Sequence, residues 1–375
     1  MHHCVGQKLE LAVMCDVAGN TAPGVITQGV ITKGHREAVI SCEFNTILFK
    51  RSFGEVLVSL SDSMKGFKLM LPTCSLAKEY PVRKLVACSQ PIYNAKYLEK
   101  RWPGVLQAWV LYHVRCTILL ELSAIFVPYV FRFDYQICLL THFQINYMGF
   151  DHFTLYDSDG SAAPFVAPLL QQNVSFAYFT NWAATPCIAT AAQSLPYCSQ
   201  TLIENHCMWN ARGTAEWVML ISAPDCFVND SPGAPLLLEL LDSLEHRISA
   251  LLLPTFVFEN PDNNSFSGAT APDIFTVFTK RRCPMLLAIR HMPIFDPHDV
   301  SVAFVHEELI KATDTKRQYT AAIAVHHYFQ LFSSRASDDL KWSTYTGIKV
   351  PYCEDRSMAQ IGDVVRHLLK DISGT

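Results

Sequence analysis

The chain has 375 residues, of which 50% are apolar and 17% charged; this suffices for one large α/β domain and a smaller one around a substantial core, and it excludes disorder as the overall state. Its 30 basic and 34 acidic residues are spread evenly and give a formal charge of -4, so the chain carries no electrostatic footprint for tracking a nucleic-acid backbone. None of its 13 cysteines forms a C-x-x-C pair, which removes zinc-ribbon and thioredoxin readings and leaves secretory-pathway disulfides as an expectation.

The N-terminus, with His2, His3, Lys8 and Glu10 among short apolar pieces, lacks the basic and apolar regions of a signal peptide. Residues 1–80 read as short β-branched runs between glycine and polar turns, such as Gly24 to Thr27, Gly29 to Thr32 and Glu55 to Leu60, and predict a small β-rich region. Val82 to Ser89 predicts a strand, and Val105 to Val114 an amphipathic helix with Leu106, Trp109, Val110 and His113 near one face. The most apolar stretch, Cys116 to Phe133, is broken by Glu121 and Pro128 and falls short of the roughly 18 to 20 apolar residues of a membrane span, so a soluble chain is expected. From Gly149 the rhythm is strand His152 to Tyr156, loop Asp157 to Ala162, helix Pro164 to Gln171, strand Val174 to Phe179, helix Ala189 to Asn210 and strand Trp217 to Ile221. This alternation predicts a mostly parallel sheet flanked by helices, with ligands at the carboxyl ends of its strands, in the loops after Tyr156 and Ile221. Farther on come a polar loop, Glu259 to Pro272, and apolar runs at Met285 to Ile289, Val300 to Val305 and Tyr319 to Val325. Asn173-Val174-Ser175 and Asn263-Asn264-Ser265 are formal glycosylation acceptors; Asn229-Asp230-Ser231, followed by Pro232, is a weaker one.

Met148 to Ser161, MGFDHFTLYDSDGS, resembles the start of the nucleotide-binding domain of glycosyltransferase family 92, in which a "GF.HF..YD..S" pattern opens the donor pocket. The resemblance continues through Phe179-Thr180-Asn181-Trp182, a helix with Gln193 or Gln200 before Asn205-His206-Cys207, and the strand Ala215 to Ile221. It closes on Val302 to Glu307 and Val325-His326-His327-Tyr328, covering about residues 84–345 through several weak motifs in order. The fold it implies is GT-A, a Rossmann-like α/β domain over residues 81–375, after the β-rich region 1–80. The activity it implies is inverting transfer of a sugar, galactose from UDP-galactose, to a hydroxyl of a glycan or glycoprotein acceptor. The location it implies is the Golgi or secretory-pathway membrane, through an anchor that is not visible in this chain.

Such a reaction needs the leaving diphosphate neutralised, and a divalent cation on hard oxygen ligands does this. By resemblance the cation is Mn²⁺ or Mg²⁺, held by an Asp-X-Asp pair directly after the Trp217 strand and helped by a later histidine. Here that strand runs into Ser222-Ala223-Pro224-Asp225. Aligned without a gap, Ser222 and Pro224 replace both aspartates and Asp225 takes the place of a following glutamate; with one inserted residue, Asp225 is the second aspartate. Asp225 and His306 are therefore the metal candidates, and Asp157, Asp159 and Asp225 the donor-binding ones. The alternative for Asp157-Ser158-Asp159 is an ordinary polar turn, and for His306 a hydrogen-bonded strand terminus. Cys207 and Trp217 are expected in the core and Gln200 on a helix surface. Glu259, Glu307 and Glu308 are unranked candidates for the general base.

In the family the helix containing Trp109 to His113 leads within a few residues into the Met148 strand. Val114 to Gln144 intervenes here, as an insertion or as translated non-coding sequence; if His142 is the family histidine, the segment is an upstream extension instead. The degraded metal motif supports a second reading, an inactive homologue that binds nucleotide or glycan without turnover. A glycoside hydrolase is disfavoured by the scarcity of acidic residues at predicted strand ends.

Overall fold

The structure, a computed structural model, describes residues 13–17, 20–32, 35–42, 56–62, 67–73, 83–114, 148–170, 176–180, 200–221, 224, 226–230, 236–245, 247–259, 273–282, 291–304, 307–310, 316–328, 352–358, 362 and 366. The chain divides into two compact units, Met1–Tyr80 and Pro81–Thr375.

The first unit is an antiparallel five-stranded sheet in the order β3-β2-β1-β4-β5, from β1 (Val13–Val17), β2 (Asn20–Thr32), β3 (His35–Cys42), β4 (Val56–Asp62) and β5 (Phe67–Thr73).

The second unit is mixed α/β. Its parallel block comprises β6 (Arg83–Ser89), β7 (His152–Asp157), β8 (Phe176–Thr180) and β9 (Ala215–Ile221), side by side as β8-β7-β6-β9. In chain order this is the third, second, first and fourth strand, the arrangement that begins a doubly wound nucleotide-binding sheet. α1 (Ala95–Arg101) and α2 (Val105–His113) follow β6, α3 (Ala163–Leu170) follows β7, and α4 (Gln200–Ala211) precedes β9.

The period-two alternation of the strands assigns the helices to faces. Leu85 and Ala87 of β6, Phe153 and Leu155 of β7, and Met219 and Ile221 of β9 join one core with Leu98, Trp109 and Val166 of α1 to α3. Val86, Cys88, Tyr156, Val218 and Leu220 join another with Ile203, Cys207 and Met208 of α4.

The sheet is not mostly parallel. Beyond β9 it continues through β13 (His291–Phe295), antiparallel to β9, then β11 (Ile248–Glu259), antiparallel to β13. β17 (Ile323–Tyr328) runs parallel to β11, and β10 (Cys226–Asp230) antiparallel to β17. With β12 (Lys280–Arg282), β16 (Lys316–Tyr319) and β18 (Tyr352–Glu354) the sheet has 11 strands, and β14 (Val300–Phe304) pairs separately with β15 (Glu307–Ile310). Hydrophobic periodicity fixes which residues face the core but not strand direction, which explains the difference. The shorter helices α5 (Leu237–Asp242) and α6 (Ile274–Val277) pack onto the first core through Leu237, Leu241, Ile274 and Phe275.

Two local expectations are also revised. α2 is not amphipathic: only Gln107 and Leu111 are part-exposed, because the helix is enclosed by the sheet and by neighbouring elements, with Trp109 Nε1 and the Tyr112 hydroxyl donating to Cys226 O and Val228 O of β10. The run Tyr319 to Val325 is not one segment: it holds the end of β16, a turn over residues 320–322 and the start of β17. Of the expected helix Ala189 to Asn210 the described part is α4, and nearly all of Val114 to Gln144 lies outside the described residues. Among the described residues no helix is long and apolar enough to cross a membrane.

Candidate functional site

The parallel block presents its carboxyl ends at Ser89, Asp157, Thr180 and Ile221. Because α1 to α3 cover one face and α4 the other, the connections diverge between β6 and β9, the switch point at which sheets of this type hold ligands.

The segment 90–94 that leaves β6 is fastened on both sides. Gln90 N–H donates to Ile221 O at 2.9 Å, Ile92 N–H to Tyr156 O at 2.9 Å, and Ser158 N–H returns to Ile92 O at 2.8 Å. Asn94 adopts φ 54, ψ 42, a left-handed conformation that asparagine tolerates better than most residues, and its N–H donates to Asp159 Oδ2 at 2.8 Å.

Asp157, at the end of β7, is 0% exposed. Its Oδ2 accepts Ala162 N–H at 2.8 Å and the Tyr178 hydroxyl at 2.5 Å, and its Oδ1 accepts Asp159 N–H at 3.3 Å. Burial pushes the Asp157 carboxyl above its ordinary range, against the opposing hydrogen bonds from Tyr178 and Ala162. The Tyr178 hydroxyl is pushed up to about 12, by burial first and then by its bond to Asp157. Asp159 accepts Ser161 N–H at 3.0 Å on Oδ1; burial acts to raise its pKa, but the hydrogen bonds from Ser161 and Asn94 outweigh that and hold it below the ordinary value. All four oxygens of the pair thus serve protein donors. Asp157 and Asp159 brace the loop between β7 and α3 and do not fit as a metal chelate. A carboxylate already occupies the anion-favouring start of α3.

On the other face, three consecutive residues of α4 reach three strands. Asn205 holds β14 at two points, Nδ2 donating to Ala303 O at 2.7 Å and Oδ1 accepting Ala303 N–H at 3.1 Å. His206 Nδ1 lies 2.7 Å from the Tyr156 hydroxyl of β7, and burial lowers the pKa of its ring. Cys207 is joined by a disulfide to Cys88 of β6. Tyr156 stacks on Phe179 with centroids 5.4 Å apart, and His206 meets both rings edge-on. Immediately before Asn205, Glu204 Oε1 accepts Gln200 Nε2 at 2.5 Å and Gln90 Nε2 at 3.3 Å. Gln200 is therefore buried, not on a helix surface, because it faces Glu204 within the helix–sheet contact. Trp217 is half-buried, and Cys207 joins the core as a cross-link.

Asp225, Ser222 and His306 lie outside the described residues. Pro224 is a buried turn residue between β9 and β10, and His326 and His327 of β17 stand in register with Phe227 and Cys226 just beyond that turn. The side chains of Glu259, Glu307 and Glu308 lie outside the described set. Among the described residues no group of three or more His, Cys, Asp or Glu side chains is arranged to hold a metal ion. The sequence carries no signal for the meeting of Gln90 with Glu204 or of Tyr156 with His206, since the partners are separated by 114 and 50 positions and only the packing of α4 brings them together. Compared with models of known protein families and with curated proteins, the sequence matches none.

Proposed function

We propose that Pro81–Thr375 is a GT-A-type glycosyltransferase domain similar to family 92, transferring a sugar from a nucleotide sugar, galactose from UDP-galactose, to a glycan hydroxyl with inversion. The observation that carries this reading is the parallel block β8-β7-β6-β9 with helices on both faces, which supports a nucleotide site at the junction of β6 and β9. The disulfide between Cys88 and Cys207 fits an oxidising compartment such as the secretory pathway. Asp225 and His306 are the residues proposed to hold Mn²⁺ or Mg²⁺, which when bound would neutralise the leaving diphosphate. Asp157 and Asp159 shape the donor side of the pocket through the loop they brace.

The test is a thermal-shift titration of the full chain with UDP and UDP-galactose, with and without Mn²⁺. A ligand at about 100 times its Kd stabilises the native state by roughly 2.7 kcal/mol, so a clear rise in Tm with UDP that grows with Mn²⁺ is expected. No rise with any nucleotide sugar sinks the proposal.

A second reading, binding without turnover, draws on Pro224, a buried turn residue at a position where the family resemblance expects an aspartate. Proline offers no oxygen ligand on its ring and fixes its own φ. Under this reading Ser222→Asp with Pro224→Asp strengthens Mn²⁺ binding and raises UDP-galactose hydrolysis, whereas a wild type that already binds Mn²⁺ tightly, with no gain in the variant, removes it.

A further inference from the structure

Gln90 begins the fastened segment after β6, and its backbone N–H is committed to Ile221 O across the switch point. Its side-chain Nε2 donates to Glu204 Oε1, which is 2% exposed at the residue level and also receives Gln200 Nε2. In its ionised form Glu204 accepts hydrogen bonds and does not donate them, so Gln90 then presents only its NH₂ group to it. The carboxamide oxygen is then the branch not directed at Glu204. The orientation of a glutamine amide is ordinarily open to assignment, but here the partner's chemistry decides it. Gln90 is half-buried, and the backbone on either side of it is held, so the acceptor is in place before any ligand arrives.

We propose that Gln90 is a fixed hydrogen-bond acceptor at the switch point, oriented by Glu204, and that it reads an N–H or O–H donor of a bound nucleotide. The identity of the ligand rests on the glycosyltransferase reading above. Two groups of a uridine nucleotide supply such a donor: the imide N–H of the base and a ribose hydroxyl. Cytosine replaces the ring N–H by a lone pair, so an acceptor that reads the base rejects CDP. An acceptor that reads the 2′-hydroxyl rejects 2′-deoxy-UDP.

The experiment titrates UDP, CDP and 2′-deoxy-UDP, each with Mn²⁺, into the full chain as wild type, Gln90→Met and Glu204→Gln. Wild type should favour UDP over one of the two analogues by about five- to tenfold, the worth of one neutral hydrogen bond. Gln90→Met keeps the side-chain volume without the acceptor and should erase that preference. Glu204→Gln allows the Gln90 amide to turn either way and should narrow the preference, with the Tm of the ligand-free variant reporting the fold. A merely structural role for Glu204 would weaken all three ligands alike and leave their ratio unchanged. If Glu204→Gln does not fold, Gln90→Met alone decides. Equal wild-type affinity for all three nucleotides, or a preference that survives Gln90→Met, overturns the inference and leaves the nucleotide reading standing. Failure of wild type to bind UDP overturns both.

Discussion

Asp157 shows what a single buried carboxylate does in this fold. It accepts hydrogen bonds from Tyr178 in β8, from Ala162 at the start of α3 and from its neighbour Asp159, so one side chain ties two strands and a helix. Asp157→Asn turns an NH₂ group toward one of these donors and should cost about 1–3 kcal/mol, read from urea unfolding. Gly149 has φ +66, and a Cβ there would stand 2.7 Å from Leu238 Cδ1. The tip of Leu238 can rotate, but the left-handed backbone cannot relax, so Gly149→Ala should lose about 1–2 kcal/mol in the same assay. His113 is fully buried, its Nδ1–H donating to Trp109 O at 2.7 Å and its Nε2 accepting Val228 N–H at 3.3 Å, an arrangement only the neutral ring satisfies. Burial lowers its pKa from 6.5 to about 4. Below pH 6.5 the unfolded chain takes up a proton that the folded chain refuses until about pH 4, so stability present above 6.5 is lost as the pH falls through that window. The loss is on the order of 3 kcal/mol for this group. Urea titrations at several pH values should show the decline. His113→Leu should be less stable at neutral pH but decline less steeply; His326, whose pKa burial also lowers to about 4, and His206, likewise lowered by burial, contribute to the remaining slope.

At the scale of elements, α4 is the piece on which the carboxyl-end site depends. Its disulfide spans 119 positions between Cys88 and Cys207, and closing so long a loop restricts the unfolded chain. Replacing both cysteines by alanine should cost about 2–5 kcal/mol and lower the Tm measurably. The two-point hold of Asn205 on Ala303 should be weakened along with it, since the two residues share a helical turn. The junction of α2 and β7 carries a second prediction. Val114 bridges Phe150, and Phe150 N–H donates to His113 O at 3.3 Å, so the described residues on either side of 115–147 meet. Replacing residues 115–147 by a short Gly-Ser link should leave circular dichroism and Tm near those of wild type. A deletion variant that does not fold would show that the segment is integral and not an insertion.

For the whole molecule, the division at Tyr80 and Pro81 separates an antiparallel five-stranded sheet from the mixed α/β unit with its own cores. A fragment of residues 81–375 should melt cooperatively and keep the nucleotide response of the full chain. Loss of that response in a folded fragment would assign part of the site to residues 1–80.

The strands of the parallel block were legible in the amino-acid sequence because their apolar runs alternate with helices and turn residues, and β6, β7, β8 and β9 fall within about two residues of the expected spans. The polar loop Asp157-Ser158-Asp159 was equally legible as a turn at a strand end. No strand is expected over Ile248–Glu259, which contains Pro254, yet this strand pairs antiparallel with β12 and β13 and parallel with β16 and β17. Strand direction, the burial of α2 on nearly all sides, the partner of Cys88 and the meeting of Gln90 with Glu204 were decided by tertiary structure alone. The physical reason is one of range. Periodicity and turn chemistry act over a few residues and fix local conformation, whereas pairing across more than a hundred positions depends on which faces close the core, and only the folded chain specifies that.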